Sequence, residues 1–385
     1  MKFKIFCLSF FVILLSSLSI YSCSKTGVTE KEDTENENPP LPSPGNAPAE
    51  ERPFDPGHPV YQPIPMNCPL YVHSSEIVGN IAENFKLIRF DVGGETPPVY
   101  VGQPSDPEWT LTIAGKDFKV HAPDNIKAGT GSDYPLVVLD KSSDQYKGHP
   151  VEYRMWQASV NLTQHKVTCN GGGVGVYAND GRVLNDVATQ PGLVRGALGQ
   201  AELHGQNTGS GCSYTVGMIR PIDIERGYID HAIRVAIGYP HPQRWFWPAL
   251  RTETWGTNAN KNCPMGARIF LDPSVNVDAI ANIIDGYTNL DVKNKAFARM
   301  FLVALQKYGM IALDGSNGNN IYLEADETAG WEQLIGKVNN YGTYNDIGRA
   351  IADNLPWNML RVADSSVFED FAKLKSAYIR MKDLQ

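Results

Sequence analysis

His231 is the side chain whose sequence neighbours most suggest chemistry. It follows a turn at Gly227, and the run Tyr228–Ile237 alternates as a strand does, which places His231 on an otherwise apolar face with Ile229 and Ile233. A buried imidazole needs hydrogen-bond partners, because leaving it unpaired costs about 1 to 3 kcal/mol. Two interpretations stay open: a satisfied core histidine, or a general base in a cleft, where desolvation lowers its pKa.

Acidic side chains form the second group of candidates. Hydrolysis of a glycoside uses two carboxyl groups about 5 to 9.5 Å apart. The candidates for catalysis beside His231 are Asp133, Glu152 and Asp223. Asp223 falls in the first turn of a short helix that Pro221 opens, where a carboxylate can also simply complement the helix dipole. For each acid, a surface position without a catalytic role is the alternative.

A lyase reaction on a uronate polymer is the alternative chemistry. β-Elimination needs a base, for which His231 or Tyr153 is suitable, and a cation that pairs with the uronate carboxylate, for which Arg154 or Arg220 is suitable.

Aromatic and cationic side chains predict where a sugar would bind. Indole rings pack against sugar rings, and arginines donate to hydroxyl and carboxylate oxygens. The candidate binding residues are Arg154, Trp156, Arg220, Trp245, Trp247 and Arg251. Ordinary core packing is the alternative for each tryptophan.

The spacing of the cysteines favours disulfides over a metal site. Four cysteines remain once Cys7 and Cys23 are assigned to the N-terminal segment, namely Cys68, Cys169, Cys212 and Cys263. They are widely spaced, no CxxC or HxxxH pattern is present, and an exported chain meets an oxidising compartment. We expect two disulfides, with Cys169–Cys212 as the preferred pair and buried thiols as the alternative.

No dinucleotide or phosphate fingerprint indicates a cofactor.

The N-terminus predicts export and lipid anchoring. Lys2 and Lys4 precede an apolar and hydroxyl run, Ile5–Ile20, that is shorter than the roughly 20 residues of a membrane span. The run ends at Cys23 in a pattern similar to a bacterial lipobox. We therefore expect a signal peptide over residues 1–22, a lipidated Cys23 and a location in the bacterial cell envelope, outer membrane or cell surface. A simple secretory signal is the alternative.

An acidic, proline-rich stretch follows the predicted anchor. Between Ser24 and Pro56 there are eight acidic and three basic side chains, seven prolines and almost no large apolar residue. Such a segment cannot offset the entropy of ordering. We expect a tether over residues 23–60 and one globular domain over residues 61–385.

The overall charge excludes some partner classes. The 385 residues carry a net charge of −8, with 34 basic against 42 acidic side chains. A chain of this charge does not attract phosphate backbones, so we expect no nucleic-acid partner. The expected partners are a poly- or oligosaccharide and, through the lipid alone, a membrane.

Short strands separated by glycine and proline predict a β-rich α+β fold. Residues 109–122 predict a hairpin, and Leu136–Leu139 a strand buried on both faces. Helical spacing appears later, in Val277–Tyr287 and Lys293–Tyr308, with Gly309 as the terminating glycine. Further strands are predicted at 151–158, 173–177, 267–271, 310–313 and 321–324, and further helices at 329–338, 344–354 and 368–382. We expect an antiparallel β-sandwich or jelly roll with C-terminal helices packed on it.

Several motifs resemble those of a set of exported proteins from bacteria and fungi. They are the Gly217–Ile233 segment with its Arg220 and His231-Ala232, then Trp247-Pro248-Ala249, Pro264-Met265-Gly266-Ala267-Arg268, and Tyr308-Gly309-Met310. The resemblance spans about residues 104–364 in order. By association with carbohydrate-rich surroundings it implies a connection to glycans. Those relatives often carry an acid where this chain has Arg154, so a catalytic acid at that position would be absent here or replaced by Glu152.

Together these patterns predict a surface-anchored lipoprotein that binds and cleaves a glycan in the manner of a glycoside hydrolase. The alternatives are a polysaccharide lyase acting on a uronate polymer, a glycan-binding lipoprotein without activity, and a structural protein of the envelope.

Overall fold

A computed structural model describes residues 59–92, 96–140, 151–177, 183–185, 209–210, 212–249, 251–253, 260–316, 318–322, 330–337 and 346–368. The helices within these ranges are α1 (Ser74–Asn84), α2 (Pro221–Glu225), α3 (Val277–Asp285), α4 (Val292–Lys307), α5 (Trp331–Ile335) and α6 (Asp346–Asn354). Single 3₁₀ turns lie at Pro59–Tyr61, Trp357–Met359 and Ser365–Val367. The predicted signal, lipidation site and nearly all of the tether lie outside the described residues.

Seventeen strands are described. They are β1 (Ile88–Asp91), β2 (Val99–Gly102), β3 (Glu108–Ile113), β4 (Lys116–His121), β5 (Leu136–Asp140), β6 (Val151–Trp156), β7 (Ser159–Asn161), β8 (Lys166–Thr168), β9 (Gly171–Tyr177), β10 (Val183–Asn185), β11 (Ile233–Gly238), β12 (Pro240–Trp245), β13 (Cys263–Met265), β14 (Arg268–Leu271), β15 (Met310–Ser316), β16 (Asn319–Tyr322) and β17 (Leu360–Val362). They form a six-stranded, a five-stranded, a four-stranded and a two-stranded sheet.

The six-stranded sheet carries the helices. Its strand order is β1-β16-β11-β15-β14-β17, and β11 pairs with β15 in parallel and with β16 antiparallel. One face of β11, with Ile233, Val235 and Ile237, belongs to the largest apolar core, which also contains the buried side chains of α3, α4 and α6. The start of α4 follows from its sequence, since Asp291 accepts a hydrogen bond from the backbone N–H of Asn294 at 2.8 Å.

The five-stranded sheet is the middle layer. Its order is β10-β9-β6-β5-β2, and every residue of β5 is buried. Leu136 and Val138 belong to the core shared with the four-stranded sheet, whereas Val137 and Leu139 belong to cores shared with β11 and β15 of the six-stranded sheet. The prediction of an inner strand at 136–139 is therefore confirmed.

The four-stranded sheet closes the far side. Its order is β4-β3-β8-β7, and the predicted hairpin is formed by β3 and β4 with a turn at Ala114-Gly115. Trp109 and Leu111 of β3 pack into the core shared with the middle sheet. The described layers are thus helices, six strands, five strands and four strands.

The fold is α+β with more strand than helix, as predicted, but its sheets are mixed. Parallel pairs join β1 to β16, β11 to β15, β2 to β5, β3 to β8 and β12 to β13, so the prediction of purely antiparallel sheets is wrong. No closed barrel occurs among the described strands. Within the described residues, no helix combines the length and apolar character that crossing a membrane requires.

The predicted disulfides are absent: no bond joins Cys68, Cys169, Cys212 and Cys263 to one another. The physical reason is that the preferred partners lie in different cores. The thiol of Cys169 donates to the carbonyl of Thr112, at 3.5 Å, and packs against the core of the four-stranded sheet, whereas that of Cys212 donates to Pro248, at 3.1 Å, in a core below the six-stranded sheet.

Candidate active site

A cluster of polar side chains interrupts the apolar contact between the middle sheet and the six-stranded sheet. β6 contributes Glu152 and Arg154, whose neighbours Val151, Tyr153 and Met155 alternate to the opposite core. Glu152 and Arg154 are at most 1% exposed. We call this group the inter-sheet polar cluster; its members are Glu152, Arg154, Ser213, Tyr214, Thr215, Arg234, Asp314 and Tyr322.

Glu152 is held by hydroxyl donors and by its neighbour on the strand. The Ser213 hydroxyl donates to Oε2 at 2.5 Å, and the Thr215 hydroxyl lies 3.4 Å from the same oxygen. Nε of Arg154 lies 3.5 Å from Oε1. Burial raises the pKa of Glu152 above its usual value, although the charge of Arg154 and the Ser213 hydrogen bond oppose this shift.

Arg234 of β11 links the segment that contains Ser213 and Tyr214 to the neighbouring strands β15 and β16. It is 0% exposed, and its Nη1 donates to the carbonyl of Ser213 at 2.7 Å. The centre of its guanidinium lies 5.5 Å from the ring of Tyr214 and 5.0 Å from that of Tyr322. Its Nη2 lies 3.9 Å from Oδ2 of Asp314. The guanidinium is therefore fixed between two aromatic rings and two neighbouring segments.

Asp314 reaches this cluster because β15 contains a bulge. Arg234 pairs with Ile311 and Val235 with Ala312, but Ala236 pairs with Asp314, so Leu313 is an extra residue on β15. Strict alternation would turn Asp314 toward the helices with Ala312. The bulge instead places it beside Ala236, on the face that carries Arg234.

The carboxyl group of Asp314 is anchored yet within reach of solvent. Its Oδ1 accepts from the backbone N–H groups of Gly209 at 3.0 Å and Gly315 at 3.1 Å, and its Oδ2 accepts from the Tyr322 hydroxyl at 3.2 Å. The side chain is 18% exposed. Burial is the largest influence on its pKa and raises it above the usual value, against the opposing charge of Arg234.

Two further predicted site residues interact with this cluster electrostatically. Burial raises the pKa of Tyr214, and the negative charges of Asp314 and, more weakly, of the half-buried Asp133 raise it further. Arg251 contributes to the lowered pKa of Arg154, which is due mainly to burial. The structure thus places Glu152 and Arg154 side by side on β6, and the charges of Asp133 and Arg251 influence the pKa values of cluster members.

The neighbouring strand β9 has glycines, and therefore no side chains, at the positions opposite Glu152 and Arg154. In the β6–β9 register, Gly175 lies opposite Glu152, and Gly173 opposite Arg154. Glycine inside a strand is typical of places where a ligand or another backbone approaches closely. Trp156 follows Arg154 on the same face and is half-buried, at the end of this glycine-lined strip.

His231 and Asp223 form a separate buried pair. Nε2 of His231 lies 3.3 Å from Oδ2 of Asp223, and Nδ1 lies 2.9 Å from the carbonyl oxygen of Ala232. His231 is 6% exposed and Asp223 is 4% exposed. Burial alone lowers the pKa of His231, but the charge and hydrogen bond of Asp223 outweigh it, so the pKa is raised overall. Asp223 also accepts from the backbone N–H of Arg220 at 2.8 Å. This geometry fixes the start of α2 beside β11.

The predicted tryptophan sites lie on different elements. Trp245 ends β12 and is 47% exposed, Phe246 is buried, and Trp247, half-buried, precedes Pro248 in a cis peptide bond. The strand predicted to begin at Tyr228 begins only at Ile233, and the face that His231 was expected to share packs against helices.

Two sequence motifs hold the fold together near the site. Arg268, at 3% exposure, donates through Nη1 to the carbonyl of Tyr308 at 2.8 Å and through Nη2 to that of Pro59 at 3.0 Å. Burial lowers its pKa to about 9. Gly266 has a positive φ, and a Cβ there would overlap the carbonyl oxygen of Phe246. The Pro-x-Gly-x-Arg and Tyr-Gly motifs therefore have structural roles.

Sequence reasoning missed six members of the cluster, namely Ser213, Tyr214, Thr215, Arg234, Asp314 and Tyr322. A signal existed for Arg234, a single charge within the otherwise apolar run Ile233–Ile237. For Asp314 the signal was misleading, because the Asp-Gly-Ser that follows Leu313 is typical of a turn, whereas it continues β15.

Comparison of this chain with protein-family models, with curated proteins and with solved structures finds no match. Among the described residues, no group of three or more His, Cys, Asp or Glu side chains is arranged to hold a metal ion.

Proposed function

We propose that this chain is a glycan-acting protein that hydrolyses a glycosidic bond at the inter-sheet polar cluster. The supporting observation is that Asp314, which the bulge turns onto the face of Arg234, is a partly exposed carboxyl group whose pKa is raised. A second carboxyl group, the half-buried Asp133, contributes together with Asp314 to the raised pKa of Tyr214. Two carboxyl groups with different environments are what glycoside hydrolysis requires.

Asp314 is the general acid in this proposal. Its raised pKa keeps the proton available, and the two backbone N–H groups on Oδ1 leave Oδ2 as the oxygen that faces Arg234 and Tyr322. It donates its proton to the glycosidic oxygen as the bond from that oxygen to the anomeric carbon breaks. Asp133 takes a proton from the water that attacks the anomeric carbon.

Glu152 acts as a positioning residue. It accepts a hydrogen bond from the Ser213 hydroxyl, and the carbonyl of the same serine accepts one from Nη1 of Arg234. The buried carboxyl group of Glu152 therefore helps to fix the position of Arg234 through Ser213. Half-buried Trp156, at the end of β6, supplies an indole face on which a sugar ring can lie.

A lyase reaction is the second candidate, and the pairing of Tyr214 with Arg234 favours it. The phenol ring lies 5.5 Å from a guanidinium that could hold a uronate carboxylate. Burial raises the pKa of Tyr214, which makes it a poor base in the free protein. For this reason we place hydrolysis first.

Incubation of the purified globular part with a panel of polysaccharides separates these functions. Hydrolysis yields new reducing ends without ultraviolet absorbance, and elimination yields both. Retention on a polysaccharide without either product would support a glycan-binding protein. Absence of both binding and product across the panel would contradict the proposal.

We further propose that the chain is a lipid-anchored protein of the bacterial cell envelope and that two of its sheets form a β-sandwich. The Lys2–Cys23 sequence supports a lipidated protein of the bacterial envelope, tested by incorporation of labelled fatty acid in the parent chain and its loss in Cys23→Ser. The single apolar core between the four-stranded and five-stranded sheets supports a sandwich arrangement of those two layers.

A further inference from the structure

We propose that the glycan is acidic, and that the Nε and Nη2 edge of Arg234 binds the carboxylate of a uronic acid residue. This inference rests on the proposed function, because it names the substrate class of the same site.

The first argument is the hydrogen bonding of Arg234. The side chain is 0% exposed, yet its Nε and Nη2 have no hydrogen-bond acceptor among the described residues; only Nη1 is used, toward Ser213. A buried donor without an acceptor costs about 1 to 3 kcal/mol. A structure that keeps two such donors on one guanidinium offers a place for an acceptor from outside the chain.

The second argument is the shape of that edge. Nε and Nη2 point in parallel from one side of the guanidinium, and this is an edge that binds the two oxygens of a carboxylate together. Asp314 does not fill it, since its Oδ2 lies 3.9 Å from Nη2, beyond hydrogen-bond distance, and is already bonded to the hydroxyl of Tyr322. The rings of Tyr214 and Tyr322 fix the orientation of the edge.

The third argument joins binding to the proposed reaction. A carboxylate held by Arg234 brings a negative charge close to Asp314, and a like charge favours the protonated form of a carboxyl group. Burial already shifts the pKa of Asp314 in that direction. A uronate would therefore strengthen the form of Asp314 that donates a proton, whereas a neutral sugar would not.

The test compares acidic polymers with their carboxyl-reduced forms, which share backbone and linkage and differ only in charge. Polygalacturonate, alginate and hyaluronan, each beside its carboxyl-reduced product, are run in affinity electrophoresis with the wild-type globular part. We expect at least one acidic polymer to bind about ten-fold or more tightly than its reduced form. Equal binding of both forms in every pair, or no binding of any acidic polymer, would overturn the inference.

Variants assign the preference to Arg234. Arg234→Lys keeps the charge and removes the two-donor edge, so the acidic preference should fall about ten-fold, and Arg299→Lys, on the surface of α4, should keep it. An Arg234→Lys protein that folds and retains the full preference would overturn the assignment. If this variant does not fold, the comparison of native with reduced polymers still decides the question, because it uses wild-type protein.

The two proposals fail separately. Cleavage of neutral polysaccharides with no preference for carboxylates would remove the acidic substrate class and leave glycan hydrolysis intact. Tight binding of a uronate polymer without any product would contradict glycan hydrolysis and leave the acidic ligand class intact.

Discussion

Nη2 of Arg234 lies 3.9 Å from Oδ2 of Asp314, although regular pairing of their two parallel strands would place these side chains on opposite faces of the sheet. The extra residue Leu313 makes the approach possible. A bulge interrupts the regular pairing of β15 with β11, and here it turns Asp314 toward the inter-sheet polar cluster.

The buried pair of Glu152 and Arg154 should be important for stability. Glu152→Ala removes the carboxylate that lies 3.5 Å from Nε of Arg154, a side chain that is 1% exposed. Breaking a buried ion pair from one side costs about 3 to 5 kcal/mol, so urea denaturation should show a loss of that order. Asp278→Ala removes a surface ion pair with Arg299 and serves as the control, within about 1 kcal/mol of wild type. Similar losses in both variants would contradict the buried arrangement.

His231 should contribute a pH-dependent part of the stability. Its pKa is raised in the folded chain from 6.5, so its contribution is complete below about pH 6.5 and is lost as the pH rises through the folded value. The free energy of unfolding of wild type, relative to His231→Gln, should therefore decrease from pH 6 to pH 9. Asp223→Asn should remove most of this slope. A slope of the opposite sign would show that burial, rather than Asp223, dominates the pKa.

The buried pair of His231 and Asp223 changes the result expected for His231→Ala. A catalytic His231 in an open groove predicts that His231→Ala loses turnover and keeps its melting temperature. Because both ring nitrogens of a 6% exposed imidazole lie within hydrogen-bonding distance of acceptors, we now expect His231→Ala to lower the melting temperature as well.

Gly217 and Gly227 provide a matched pair of substitutions. Both have a positive φ, but a Cβ at Gly217 would lie 2.7 Å from the carbonyl oxygen of Ala232 and 2.8 Å from the nitrogen of Arg234, whereas Gly227 has open space. Gly227→Ala should cost about 1 to 2 kcal/mol from the left-handed conformation alone. Gly217→Ala should cost clearly more in chemical denaturation and should disturb Arg234. Equal costs would contradict the close approach of these two segments.

Thiol titration tests the absence of disulfides. A chain that begins after Cys23 should yield four thiols in denaturant without reductant. In the native protein Cys212 and Cys263 should not react, because burial raises the pKa of each to about 12. A yield of two thiols or none would restore the disulfide prediction.

Local patterns predicted the elements better than they predicted the pairing. The apolar run of β5 and the capped helix α4 follow from composition and spacing alone, and both were predicted. The parallel pairs, such as β2 with β5, join strands that are distant in the sequence, so turn patterns contain no information about them. Helix α1 was not predicted, since its N-cap residue, His73, makes no side-chain cap hydrogen bond and is not a typical capping residue.

Only part of the candidate site could be predicted from the sequence. Glu152, Arg154, Asp133 and Arg251 were predicted from residue type; Glu152 and Arg154 lie in the cluster, whereas Asp133 and Arg251 influence the pKa values of its members. The predicted catalytic group, His231, lies before β11 and forms a separate pair with Asp223, whereas Arg234 of β11 lies in the cluster. Asp314 could not be placed by alternation, because a bulge shifts the alternation by one residue and leaves no mark in the sequence.

The most direct test of the account is the rate of product release by Asp314→Asn on the polysaccharide that wild type cleaves. We predict that this variant binds the polysaccharide, keeps its melting temperature within a few degrees, and releases reducing ends about a hundred-fold or more slowly. Asp278→Asn, on the exposed surface of α3, should cleave at the wild-type rate. A folded Asp314→Asn protein that cleaves as fast as wild type would contradict the central claim that this carboxyl group performs the chemistry.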